Sequence, residues 1–510
     1  MIALLFGTAF AREWGEIPKN LGNCMLPKAP QTAQGDLFKS ELIAIIDSNH
    51  PLVRLADKID WHQFEKSLHP TYVPGKGAPA INTRLMVALH ILKFQHNLSD
   101  QAVVDRWVEN PYWQFFSGMR FFSHQPPVDP SSMTRWRTRL GESGSEEILK
   151  ASLQTALKVG AARVSDFKDV NVDTTVQTKD IRYPTDSRLY HRVLERLVKT
   201  ARKEGFVIKQ SYARVSKRLL MMQGRYAHAR QMNRAKGVQR KLRTKLGRVI
   251  REVERQAPGA NTSTAEVLIL AQRIHQQERS DRGKIYSVHE PLVECIAKGK
   301  VSKKYEFGSK VSVAASSKGN WVMGAKSLSG NPYDGHTLSG QLEQVRNMVG
   351  VRVVEKVFVD QGYRGHGSDG PEQVHVDRRR RGNIQRRLWR LMKRRAAIEP
   401  IIGHMKSEHR LERNRLKGTL GDKVNAILSA AAMNFTKLIA WLKFFLSFLR
   451  ALFSFAIPHH PLIHTAKPRV FQDRLRPLPP SLRTCSLSGQ LHHSLASPTH
   501  SSARTAKRKP

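Results

Sequence analysis

The sequence predicts an α/β fold. A unit ordered strand, hairpin, helix, strand, helix is interrupted between its first two strands by a basic helical insertion, and an all-α domain precedes it. Three observations carry this. Two β-branched runs, 168–176 and 353–359, each hold or end at an aspartate, as strands entering a turn do. Apolar residues recur at helical spacing across 37–153. Between the strand signals, residues 188–256 hold 21 Lys or Arg against four Asp or Glu.

Taken in order, Leu42, Ile45 and Ile46 share one face, followed by Leu52, Leu55 and Ile59. Leu85, Ala88, Leu89 and Leu92 fall at i, i+3, i+4 and i+7, one side of a helix. Asn97-Leu98-Ser99-Asp100 supplies a turn and an N-cap before Ala102–Trp107, and Ser131 or Ser132 is expected to cap a helix through Met133, Trp136 and Leu140. Short helices with tight turns and several arginines suggest a DNA-binding domain; a packing domain without base contacts fits the same pattern. Lys168–Val176 then reads as a strand. Leu194, Leu197 and Val198, and later Leu242, Leu246, Val249 and Ile250, give the basic segment apolar stripes. Its 17-charge surplus favours a clamp on DNA over a merely solvated face.

Strand signals resume at Lys284–Val288. Lys310–Ala315 and Trp321–Ala325, joined by Ser317-Lys318-Gly319-Asn320, predict a hairpin. A helix over about 338–348, a strand over 353–359 ending at Asp360, and a helix bearing Glu399 close the unit, an α/β order. The expected division is an unmatched extension at 1–36, helical domain 37–153, core domain 164–446 with its insertion at about 188–280, and a Pro-, Ser-, His- and Arg-rich disordered tail at 459–510.

The chain has 510 residues and a formal net charge of +43, with a pI near 10.6. A polyanion is the natural partner, because neutralising phosphates releases counterions. Cys24, Cys295 and Cys485 are far apart and form no Cys-x-x-Cys pair, which fits a reducing cytosol and excludes a disulfide framework. The short apolar start Met1–Phe6 lacks a preceding cation, so it does not read as a signal peptide. The apolar stretch 426–457 is interrupted by Lys437, Lys443 and Arg450 and reads as a packing helix, not a membrane span.

Three carboxylates stand out: Asp173, Asp360 and Glu399. Acids brought together from separate elements can hold magnesium, which prefers hard oxygen ligands and leaves room for a phosphate; a metal pair can activate a water or sugar hydroxyl. On a helix, Arg395 and Lys406 return to roughly the face of Glu399, four residues before and seven after it. Two readings of those cations stay open: phosphate contacts, or surface charges pairing with Glu399 or Glu408. The histidines near these motifs, His289, His336, His366 and His404, read as polar structural residues; His289-Glu290 lacks the second histidine of a zinc helix. No Walker lysine motif is present.

Six stretches carry a resemblance: Asn171–Gln177, His289-Glu290-Pro291, Lys304–Gly308, Asn331–Leu338, Val359–His366 and Ile398–Lys406. With them the chain resembles a bacterial DDE transposase of the insertion-sequence-five type, within the four/five insertion-sequence superfamily. That superfamily's last motif runs Tyr, two residues, Arg, three, Glu, six, Lys. Arg395, Glu399 and Lys406 match it; Met392 stands at the Tyr position. The resemblance spans about 37–446. It implies an RNase H-like core with Asp173 and Asp360 on or beside strands and Glu399 on a helix, together holding Mg²⁺, for which Mn²⁺ substitutes. It implies cleavage at element ends, joining of the freed 3′-hydroxyls to target DNA, and double-stranded DNA partners: terminal inverted repeats and target. Arg395, Lys406, Arg364 and Arg380, the last in the Arg378–Arg381 run, are the expected phosphate contacts. A homo-oligomer on DNA, no membrane, and a bacterial cytoplasm with nucleoid association are expected. Two alternatives stay open: a non-catalytic DNA-binding or decayed transposase, and a nuclease that cuts without joining.

Overall fold

A computed structural model describes residues 40–71, 80–256, 263–278, 280–297, 304–377 and 386–456. The extension at 1–36, the tail at 459–510 and Arg380 lie outside the described residues. The N-terminal helices are α1 (Leu42–Ile45), α2 (Pro51–Lys58), α3 (Trp61–Leu68), α4 (Thr83–Gln95), α5 (Asp100–Glu109), α6 (Pro111–Phe116) and α7 (Pro130–Lys158). Ser99 caps α5 by accepting from the Ala102 N–H at 3.0 Å, as the sequence predicts. The cap of α7 is not Ser131 or Ser132. Asp129 accepts from the Ser131 N–H at 2.8 Å, because Pro130 takes the first helical position, where a missing N–H costs nothing. Gly141 (φ 65°) breaks α7 in its middle, a conformation that side chains with a Cβ rarely adopt.

The strands are β1 (Asp169–Lys179), β2 (Glu294–Ala297), β3 (Tyr305–Ser316), β4 (Val322–Leu328), β5 (Lys356–Val359), β6 (Gln373–Val376) and β7 (Arg413–Asn414). They form one mixed sheet in the order β2-β3-β1-β5-β6, with β4 on β3 and β7 on β1. The β3–β4 hairpin forms as predicted, antiparallel from Lys310↔Leu328 to Ala315↔Val322. Between β1 and β2 lie the insertion helices α8 (Asp186–Lys203), α9 (Ala213–His228), α10 (Met232–Gln256) and α11 (Ser263–Gln276). Helices α12 (Leu338–Val349), α13 (Arg386–Arg394), α14 (Ile398–Ser407) and α15 (Gly418–Ala456) complete the chain. The architecture is mixed α/β, and no helix among the described residues is long and apolar enough to cross a membrane.

Lys284–Val288 is not a strand. The Gln277 side-chain amide meets both backbone groups of Ile285, accepting from its N–H at 3.0 Å and donating to its carbonyl at 3.3 Å. Ile285 and Val288 then turn their side chains into the insertion's core. That core is separate: Leu189, Val193, Leu194 and Leu197 of α8 pack on Leu242, Leu246, Val249 and Ile250 of α10 and on α11. Each such burial contributes about 1.5–3 kcal/mol. The N-terminal helices instead share one core with the sheet, where Trp107, Trp136 and Phe167 join Val170, Val313, Val357 and Phe435. The predicted packing helix is α15. Its Asn434 side chain accepts from the Val322 N–H and donates to the Val322 carbonyl, each at 2.9 Å.

A buried ionic knot joins α4, α5 and α7. Asp100 accepts Lys93 at 2.6 Å and a two-pronged Arg137 at 2.7 Å; the cationic side chains are 3% and 6% exposed. Burial, then repulsion from Arg137, lowers the Lys93 ammonium to about 7. Burial lowers His90 to about 3, so its ring is neutral at pH 7. It donates to the Met86 carbonyl at 2.7 Å and accepts from Arg137 at 3.3 Å. Burial pushes the Asp100 carboxyl up, but the Arg137 hydrogen bonds and the Lys93 charge together hold it well below the ordinary 3.8. Its stabilising contribution is therefore complete above that ordinary value and is lost as pH falls below it. Replacing Asp100 by Asn leaves two buried cations without a counter-charge. We expect a loss of about 3–5 kcal/mol at pH 7 in urea unfolding, narrowing towards acid pH; an unchanged midpoint would show that the knot contributes nothing.

Candidate active site

β1 pairs in parallel with β5, from Asp169↔Lys356 to Asn171↔Phe358. The same offset carried two residues further sets Asp173 level with Asp360. Adjacent strands lie about 4.8 Å apart and alternate their side chains, so the two acids leave the sheet at one height and on one side. Each carboxylate is oriented by backbone. Asp173 accepts from the Thr174 N–H at 2.7 Å, and Asp360 accepts from the Gly362 N–H at 2.9 Å at the start of the turn Gln361–Tyr363.

Tyr363 shows how closely the acids gather. It is fully buried, and its phenol is pushed far up, first by burial and then by the charges of Asp173, Asp334 and Asp360. Asp334 is a carboxylate that the sequence reading did not single out. Its Oδ1 accepts from the Thr174 hydroxyl at 2.9 Å and from the Lys310 ammonium at 3.0 Å; Lys310 also donates to the Pro332 carbonyl at 2.7 Å. A Cβ built on Gly362 would lie 3.0 Å from Asp360 Oδ1 and 3.2 Å from Asp334 Oδ2, so the sum of those distances caps the gap between the two oxygens. The signal for Asp334 was an acid in Asn331-Pro332-Tyr333-Asp334-Gly335, and that text reads equally well as an ordinary turn.

Glu399 comes from a helix. It lies exposed in the first turn of α14, where the helix N-terminus favours a negative charge. The buried Ile398, Ile401, Ile402 and Met405 hold α14 in the core, and the Asn171 amide donates to the Arg394 carbonyl at 3.2 Å, pinning its approach to β1. Arg395, in the single turn before α14, pairs with Asp173 at 3.8 Å. Glu408 pairs with His404 at 2.6 Å. Lys406 is half-buried and lines a cleft of about 450 Å³ with Lys304, Tyr305 and Phe307. Arg364 is exposed, and its carbonyl accepts the Tyr333 hydroxyl at 3.2 Å. The other histidines make local contacts: His289 Nδ1 meets the Ser287 hydroxyl at 3.0 Å, and His366 Nδ1 accepts from the Ser368 N–H at 3.1 Å.

The structure thus pairs Asp173 with Arg395, sets oxygens of Asp360 and Asp334 beside Gly362, and puts Glu399 four residues after Arg395 in the first turn of α14. Among the described residues, no three His, Cys, Asp or Glu side chains stand close enough to hold a metal ion. The donor chemistry still fits a hard divalent cation, since Asp173 and Asp360 offer carboxylate oxygens from neighbouring strands.

Asp173 lies within β1, which runs on to Lys179, and Asp360 directly follows β5; acids so placed, on a chain this basic, point to a protein that acts on nucleic acid. Residues 40–139 match the family described as Transposase domain (DUF772), and residues 370–439 match the Transposase DDE domain. A Rhizobium meliloti relative, the uncharacterized protein ORF8 in the nfe locus, is 53% identical over 207 residues, covering 41% of this chain and all of that protein. No solved structure is a significant match. The two family matches indicate a bacterial DDE-type transposase.

Asp334 anchors its turn through Thr174 and Lys310 on one oxygen. Changing it to Ala strands both donors, so we expect about 1–3 kcal/mol lower stability in denaturant titration. Equal stability would mean that the turn is held without it.

Proposed function

We propose that the protein is a DNA transposase of the insertion-sequence-five type with an RNase H-like core, cutting element ends and joining the freed 3′-hydroxyls to target DNA. What supports this is the parallel register of β1 and β5, which, carried two residues past its last pair, would set Asp173 level with Asp360, and the tie from β1 to the segment leading into the helix that bears Glu399. These three acids would hold Mg²⁺, with Mn²⁺ as a substitute. When bound, the ions supply a Lewis acid at the scissile phosphate and at the attacking oxygen.

The chain's own groups prepare that place. Thr174 N–H and Gly362 N–H fix the directions of the two aspartates. Arg395 offsets the Asp173 charge at 3.8 Å and, with Lys406 and Arg364, would meet DNA phosphates. Such contacts orient the duplex without naming its sequence. The helices at 37–153 would bind the terminal inverted repeats. Two element ends must meet, so the working form would be at least a dimer on DNA, in the cytoplasm at the nucleoid.

A second reading, a DNA-binding protein without catalysis, draws on one observation: among the described residues no three His, Cys, Asp or Glu side chains form a group that could hold a metal ion. Strand cleavage of terminal-repeat duplexes separates the two. In Mg²⁺ the wild-type protein should nick and then join. Asp173→Asn, Asp360→Asn and Glu399→Gln should each lose on the order of 10³-fold in rate or more, with duplex affinity within about threefold of the wild type, since none of them removes a phosphate contact. Cleavage by all three variants at the wild-type rate, or none by the wild type itself, would reject the enzyme.

A further inference from the structure

Beside the sheet, the insertion walls a cleft of about 1420 Å³. Helix α8 forms one side. Its Arg188, Arg192, Arg196, Lys199 and Arg202 line the cleft and follow one another at offsets of four, four, three and three, a single stripe on the helix. All five are exposed, while Leu189, Val193, Leu194 and Leu197 on the other face are buried. Lys217 of α9 lines the same space.

Two acids line the cleft, and both are engaged. Asp180 pairs with Arg413 at 2.7 Å and with Arg415 at 3.2 Å; Glu195 pairs with Arg192 at 3.3 Å. Like charges at i, i+4 destabilise a helix unless something neutralises them. Glu195 offsets Arg192, and Arg188 and Arg196 donate to the Tyr183 and Val288 carbonyls at 2.9 and 2.7 Å; carbonyls do not cancel a charge, so the other four cations of the stripe keep theirs for a partner.

Length and place narrow that partner. From Arg188 to Arg202 a helix rises about 21 Å, the axial length of about six base pairs at 3.4 Å per strand phosphate. The mouth of the cleft includes Asp180–Pro184, directly after β1. It therefore lies about 20–25 Å along the chain from Asp173.

We propose that the α8 stripe is a track for the sugar–phosphate backbone of duplex DNA, its cations facing phosphates within an axial length of about six base pairs, roughly seven base pairs from the bond to be cut. The distance to the cut rests on the transposase reading; the track itself does not.

The test measures affinity of the full-length protein for a duplex of arbitrary sequence, about 30 base pairs long and so well beyond the track, across a salt series. The variants are Arg188→Gln, Lys199→Gln and Arg202→Gln, singly and combined. An equal-charge control combines Lys236→Gln, Arg240→Gln and Lys241→Gln on the exposed face of α10. Each lost phosphate contact lowers the slope of log K against log salt by about 0.9, so the combined track variant should fall by about 2.7 and the α10 control by less than about one. The single variants give the same answer if the combination does not fold. Equal losses in both sets, or none in the track set, overturn the proposal. So does a poly-glutamate probe whose binding depends on the stripe as strongly as the duplex does, since that would make it a general polyanion surface. Asp173→Asn should keep the wild-type slope. If the track variants fail to shift the slope while Asp173→Asn abolishes cleavage, the track falls and the transposase reading stands.

Discussion

The structure depends on the placement of β1. It is paired along most of its length with β3 in antiparallel register and at its start with β5 in parallel. Because side chains alternate on a strand, a slip of one residue would turn Asp173 to the opposite face and expose Val170 and Val172. Both ends of the strand are fixed by chemistry. At its start, Asn171 accepts from Ser317 at 2.6 Å and donates to the segment before α14. At its end, the Lys179 ammonium, 3% exposed, meets Asp422 at 2.8 Å and Glu290 at 3.3 Å. That ion group ties the strand to α15 and to the chain returning from the insertion. Separating one partner from a buried group of this kind is strongly unfavourable.

Much of this was legible in the text. The runs around Asp173 and before Asp360 gave strands because β-branched residues suit a half-buried pleat. The hairpin was readable because Gly319 and Asn320 accept positive φ. The apolar stripe of α8 was readable at Leu194, Leu197 and Val198, because residues three and four apart share one side of a helix. What misled was competition for the same backbone. Lys284–Val288 has the composition of a strand, yet the distant Gln277 takes the bonds at Ile285 that a neighbouring strand would need. Around Asp129 two serines were plausible caps, and the proline between them and the aspartate decided the matter.

The site was half legible. Asp360 does follow the end of its strand, as read, but the run at Asp173 does not end there: β1 continues to Lys179. Asp334 could not be named, because a turn containing Pro, Asp and Gly needs no functional explanation; only the fold brings it to Tyr363. Arg395 could be placed on the side of Glu399, but its partner, Asp173, comes from a strand more than two hundred residues earlier. The helical segment at 37–153 also gave no sign of where it docks. Its Phe94 carbonyl meets the His409 ring at 3.2 Å, and Asn97 donates to the Ser407 carbonyl at 3.2 Å. The N-terminal helical segment is thus bonded to the C-terminal end of the helix that bears Glu399 and to the residues just after it.

The Asn434 amide has a mechanical consequence. One side chain serves both backbone groups of Val322 and also donates to Ser152 at 3.0 Å, so it acts as a rivet through α15, β4 and α7. A helix held that way cannot slide or roll against the sheet without stranding a donor and an acceptor in a dry interior. Any compliance in the molecule must therefore come from elsewhere. The insertion, with a hydrophobic centre of its own, has the independence to supply it.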